Sequence, residues 1–122
     1  MPPLPDDALV VRGGQNRPEN FANGSGVTIN PDGMLDGVSV NAAAGIGVDD
    51  LTAGNPKTRY PGILNQQVGV TTVGEIRARG GGVIPSPSKS NPYHATLRGL
   101  TPDQASDLFR PTISNPSRRR KP

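Results

Sequence analysis

The stretch VTINPDGMLDGVSVN, residues 27–41, decides the fold class. Two β-prone runs flank Asn30-Pro31-Asp32-Gly33, in which proline fixes one φ and glycine is free to take a positive one. That is the chemistry of a tight turn between antiparallel strands. Within the second run Leu35, Gly37, Ser39 and Asn41 alternate with Asp36, Val38 and Val40. Val38 and Val40 are expected to face a core, which turns Ser39 to the other side.

Working outward, ALVVRGG predicts a short buried strand over Ala8 to Val11, halted by Gly13 and Gly14. The stretch QNRPENFANGSG reads as polar and flexible, with Phe21 its one core anchor. VDDLTAG predicts a helical turn with Asp49 as its cap and Gly54 as its stop. NPKTRYPGILNQ reads as loop. A strand over Val68 to Val70 leads into a short helix in which Thr72 and Glu75 have capping-box spacing, Val73 and Ile76 share a face, and Gly80 to Gly82 end the run. VIPSPSKSNP is a brief strand followed by a rigid loop.

YHATLR alternates, with Tyr93, Ala95 and Leu97 expected on one side and His94, Thr96 and Arg98 on the other. TPDQASDLF carries the strongest helix signals: Thr101 as cap, Pro102 at the first position, Gln104 closing the box, and Ala105, Leu108 and Phe109 as the buried stripe. The sum predicts an α+β domain, small and loop-rich, with a split or curved, mainly antiparallel sheet and two or three short helices.

The 122 residues suit one domain, predicted over 1–116 with a basic, disordered tail at 117–122. Apolar residues reach only 32%, against 16 glycines and 14 prolines, so the core is thin and help from a partner covering apolar surface is expected. The net charge of +3 belongs to the tail: without SRRRKP the chain has nine basic groups against ten acidic. Such a tail can add nonspecific contact with RNA. With no cysteine and one histidine, disulfides, thiolate chemistry and an ordinary zinc site are excluded, and no metal is expected. No apolar run approaches a membrane span and no leader pattern opens the chain, so a cytoplasmic protein is expected.

Three small groups carry possible chemistry. Arg12-Gly13-Gly14 ends a strand with a cation beside permissive backbone, suited to gripping a phosphate; by spacing alone an exposed turn arginine explains it as well. Ser39 lies on the polar face of its strand, where an ordinary strand serine is the plainer reading. His94, Thr96 and Arg98 set an imidazole, a hydroxyl and a guanidinium in a row, spaced to meet one ligand or to form a half-exposed sheet face. The carboxylate pairs Asp6/Asp7 and Asp49/Asp50 read as a terminal pair and as helix caps, not as a pair in an apolar pocket, and a phosphate loop and a nucleophile elbow are absent.

Taken in order, VVRGG (10–14), DGVSVN (36–41) and YHATLRGL (93–100) resemble compact bacterial toxins of the ADP-ribosyltransferase-like group, including type VI effectors and toxins of toxin–antitoxin pairs. The resemblance implies a split-sheet cleft binding NAD, with Arg12 on a phosphate or ribose, Ser39 near the nicotinamide ribose and His94 lining the cleft. It also implies an antitoxin or immunity partner. One departure stands out: many members use a late catalytic glutamate, and the glutamates here are Glu19 and Glu75. Two other readings stay open. A ribonuclease toxin would use His94 as general acid or base with Arg98, Thr96 or Lys89, and a non-enzymatic module would simply bind its partner.

Overall fold

The computed structural model describes residues 3–23 and 26–118. Seven strands, β1 (Leu9–Gly13), β2 (Val27–Ile29), β3 (Leu35–Ala43), β4 (Gln67–Thr72), β5 (Gly82–Pro85), β6 (His94–Arg98) and β7 (Ile113–Ser114), form one curled antiparallel sheet. Its order is β5-β6-β3-β1-β4-β7, with β2 also laid against β3. Four helices accompany it: α1 (Pro18–Asn23), α2 (Val48–Thr52), α3 (Val73–Ala78) and α4 (Pro102–Phe109). The α+β class and the curved antiparallel sheet are as the sequence predicts.

The β2–β3 hairpin forms for the expected local reason. The side-chain Oδ1 of Asn30 accepts the N–H groups of Asp32 and Met34, both at 3.0 Å, and Gly33 takes φ +81°. Thr101 and Gln104 close a full capping box on α4, and Thr72 accepts the Glu75 N–H at 3.2 Å on α3.

Four expectations need correction. The polar stretch after β1 contains α1, a fourth helix. It is held by tertiary packing: Phe21 is fully buried and stacks on Phe109 with ring centres 5.9 Å apart. In α2 the cap position is Gly47, while Asp49 sits inside the first turn and the helix stops at Ala53. Gly54 is small for another reason, since a Cβ there would lie 3.0 Å from the Tyr60 carbonyl oxygen. β1 runs on through Gly13, past the expected stop. Finally Ser117 and Arg118, assigned above to the tail, belong to a 3-10 turn (Pro116–Arg118), tied down by Ser117 Oγ at 2.6 Å from Thr52 Oγ1. Residues 119–122 of that tail lie outside the described residues.

The sheet has two covered faces. On one, Val10, Val38, Val40, Ala95 and Leu97 pack with Phe21, Ile76, Ala105 and Phe109 from α1, α3 and α4. On the other, Val11 and Val68 pack with Leu51 of α2 and with Leu9, Val48, Ile63 and Tyr93 around them. β1 is thus buried on both sides.

β3 is long enough to serve three neighbours. One edge pairs with β6 from Val38 to Asn41. The other pairs with β2 over Leu35–Val38 and with β1 over Asn41–Ala43. The β1–β3 ladder ends at Val11–Asn41, whereas β1 continues against β4 as far as Gly13. The sheet therefore splits between Gly13 and Ser39.

Candidate functional site

A cleft of about 380 Å³ occupies that split. Its floor is Val11 and Gly13 from β1, Ser39 and Asn41 from β3, and His94 from β6; its roof is the segment Tyr60 to Asn65, with Asn91 at one end. Gly13 admits the roof closely: a Cβ there would come 2.7 Å from Cγ2 of Ile63 and would collide with Asn65.

Gly13 also offers its backbone. Gly14 N–H donates to the Gln67 carbonyl at 2.8 Å and so points to β4, while its carbonyl accepts from Asn16 Nδ2 at 3.1 Å. By the alternation of an antiparallel ladder, the polar groups of Gly13 point the opposite way, toward the edge that β3 has left. One N–H and one C=O thus face into the cleft side by side.

The end wall is a carboxamide network. Asn41 is buried and donates to the Leu51 carbonyl at 2.8 Å and to the Tyr60 hydroxyl at 3.1 Å, while its Oδ1 accepts from Asn91 Nδ2 at 2.8 Å. Asn91 in turn accepts the Tyr93 N–H at 3.1 Å. The network ties β3, α2, the roof and the turn before β6 together.

His94 pairs with Asn41 across the β3–β6 ladder, and Ser39 with Thr96. Ser39, His94 and Thr96 therefore share one face, as expected. The His94 Nδ1 lies 3.1 Å from the Ser86 carbonyl oxygen and 2.8 Å from Ser86 Oγ, which is itself 3.0 Å from Thr96 Oγ1. A carbonyl oxygen can only accept, so this contact is favourable when Nδ1 carries the proton. Nε2 then holds the lone pair of the neutral ring. Arg98 stands at the far end of the strand, outside the cleft lining, and pairs at 3.3 Å with Asp36. Both partners are half-exposed, so the pair adds little.

Arg12 is not brought to this group. Its guanidinium lies on the opposite face, 4.4 Å from the centre of the Phe21 ring, and donates to Asn16 Oδ1 at 2.9 Å and to the Asn20 carbonyl at 3.4 Å. Burial holds its pKa below the ordinary arginine value. Because Val11 and Gly13 face the cleft, strand alternation leaves only Arg12 backbone beside it. Gly14, at φ +99°, turns the chain toward Gln67 and is not in the lining. The glutamates Glu19 and Glu75 ride on α1 and α3, away from the cleft.

Tyr93 also differs from expectation. It packs against the cluster of Val11, Leu51 and Val68 on the cleft's side of the sheet, not with Ala95 and Leu97. β6 begins at His94, and the turn at Asn91 resets the alternation before it. Asn91, Tyr60, Asn65 and Ser86 were not singled out from sequence. Asn41 lay in the DGVSVN alternation, on the same side as Ser39, and that was its signal.

Among the described residues the cleft lining thus presents hydroxyls, carboxamides, one imidazole and backbone groups, with no carboxylate; Arg12 belongs to the lining, but its guanidinium is engaged by Asn16, the Asn20 carbonyl and the Phe21 ring. Among those residues, no three His, Cys, Asp or Glu side chains gather as a metal site would require. Among the described residues no helix is long and apolar enough to cross a membrane. Comparison with protein-family models, with curated proteins and with solved structures yields no match to this chain.

Proposed function

We propose that this chain is a bacterial toxin of the ADP-ribosyltransferase-like kind, whose split-sheet cleft takes the nicotinamide riboside end of NAD. The observation that carries the reading is the split itself. It gathers the Gly13 backbone, Ser39 and His94 around one opening; of these the resemblance implies Ser39 and His94 at such a cleft, together with Arg12. A volume of about 380 Å³ falls within the roughly 300–1,000 Å³ of small-ligand pockets.

The residues fit one half of the dinucleotide better than the other. A nicotinamide carboxamide has one donor side and one acceptor side, the complement of the paired N–H and C=O of Gly13. Ser39 is placed for a ribose hydroxyl. For the pyrophosphate the lining's one cationic residue is Arg12, whose guanidinium is engaged by Asn16, Asn20 and Phe21, so the role expected of it gains no support. NAD would supply a glycosidic bond already activated by its cationic leaving group. His94 Nε2, with its lone pair exposed by the Ser86 contact, would take the proton of the incoming nucleophile. The ribonuclease alternative gains less support, because a phosphorane needs a positive neighbour and the one cationic residue of the lining, Arg12, has its guanidinium engaged by Asn16, Asn20 and Phe21.

An antitoxin or immunity partner is part of the same proposal. Leu64 beside the cleft and Ile84 opposite Thr96 are 55% and 48% exposed on that face, giving a cover something apolar to grip. Incubation of the purified chain with NAD should release nicotinamide, and His94→Ala should slow the release by about 10²–10⁴-fold, the usual range for a lost acid–base group. A folded chain that neither binds nor consumes NAD sinks the proposal; discrete cleavage of RNA in the same preparation would establish the alternative.

A further inference from the structure

Beyond the Tyr60–Asn91 wall lies a second pocket of about 190 Å³, lined among others by Asp50, Pro56, Tyr60, Pro92 and Tyr93. It is below the roughly 300 Å³ at which pockets enclose whole small ligands, so it suits a head group or a single side chain. Both tyrosines of the chain line it, and Asp50 is the one carboxylate on the described lining of either chamber. A carboxylate beside two electron-rich rings draws a cation, through net charge and through the ring quadrupoles. The flanking prolines favour a flat, weakly hydrated guanidinium over a compact, strongly hydrated ammonium.

The walls are held in place by more than loop packing. Asn41 donates to the Tyr60 hydroxyl at 3.1 Å, and its remaining polar valences go to Leu51 and Asn91. The phenol oxygen is thus an acceptor within the protein, and its own proton remains to be donated. The backbone before Tyr60 is costly, and after it the chain turns at a position that only glycine fills. Arg59 takes φ +61°, rare for a residue with a side chain, and Gly62 takes φ +82° where a Cβ would lie 2.6 Å from the Thr52 carbonyl oxygen. Among the described residues Asp50 forms no ion pair.

We infer that this pocket binds the guanidinium of an arginine side chain, with Asp50 as counter-charge and Tyr60 and Tyr93 as the aromatic surface. The inference stands apart from what the neighbouring cleft holds. Its test is an NMR titration of the chain with N-acetyl-arginine amide, without NAD, using N-acetyl-lysine amide as the comparison. Saturable shifts are expected at Asp50, Asn91 and both tyrosine rings, with arginine at least threefold tighter than lysine. Asp50→Asn, a change at an exposed position, should weaken binding at least tenfold, and Tyr93→Leu at least threefold. Shifts that are absent, that spread equally over Asp32 and Asp103, that match for lysine, or that survive Asp50→Asn would each overturn it.

Discussion

Replacing Arg12 by alanine separates the role the resemblance implies from the one the geometry gives. In the structure the guanidinium is engaged by Asn16, the Asn20 carbonyl and the Phe21 ring, tying α1 to the sheet. Its removal leaves Asn16 Oδ1 without a donor on a residue that is 0% exposed, at a cost of about 1–3 kcal/mol. Loss of the cation from the Phe21 ring, now 4.4 Å away, adds about 1 kcal/mol. Relief from burying a charge works against both, since that burial already disfavours the cation. The net is a destabilisation of about 2–3 kcal/mol, a sizeable part of the roughly 5–15 kcal/mol of a small domain. Thermal unfolding followed by circular dichroism should show a midpoint lowered by about 10 °C. Arg12→Met, which keeps an apolar stem on Phe21, should recover part of that loss and no more, because Asn16 stays unpartnered. Below the transition, nicotinamide release per folded molecule should match wild type. A variant with the wild-type midpoint but release reduced more than a hundredfold would refute the placement of this side chain.

Two further outcomes follow from the buried polar groups and caps. Asn41→Ala should cost about 2–4 kcal/mol, because it strands the Leu51 carbonyl and Asn91 Nδ2 together, and it should release Tyr60; urea titration gives the first and tyrosine ring shifts the second. Thr101→Ala opens the capping box of α4 and should lower stability by about 1 kcal/mol, with the loss partly restored by Thr101→Ser.

What the sequence reveals of this fold is what local chemistry specifies. The β2–β3 turn rests on Asn30 and Gly33, three residues apart, and the α4 cap on Thr101 and Gln104, so both are legible without a structure. α1 is not, because the six residues Pro18–Asn23 form a helix only when Phe21 reaches Phe109, 88 positions away. The side taken by Arg12 is hidden for a different reason. Val10 and Val11 are both fully buried, one in each core, so the hydrophobic pattern of β1 does not reveal which neighbour Arg12 follows. His94, Ser39 and Thr96 were legible because their strands have one polar face. Asn41, Tyr60 and Asn91 come together from three distant segments, and none of those segments carries a local sign of the meeting.

The cleft's position follows from a competition along one edge of β3. β1 and β2 cannot both pair with that edge at the same residues, so the strand that leaves must expose either its ladder groups or a gap. β2 takes the edge up to Val38, with the Ser39 N–H still donating to the Gly26 carbonyl at 3.3 Å, and β1 takes it from Asn41, so that neither ladder runs on through Ser39 and Val40. In a sheet edge open to water such groups would be an invitation to pair with another chain. Here the roof from Tyr60 to Asn65 covers the gap, and it can come this near only because Gly13 has no side chain. The same glycine therefore both closes the gap to a passing strand and leaves a donor–acceptor pair beneath the cover. On the proposal made above, a flat, neutral, amide-like group would suit that space better than a charged phosphate, which is the physical content of the nicotinamide proposal.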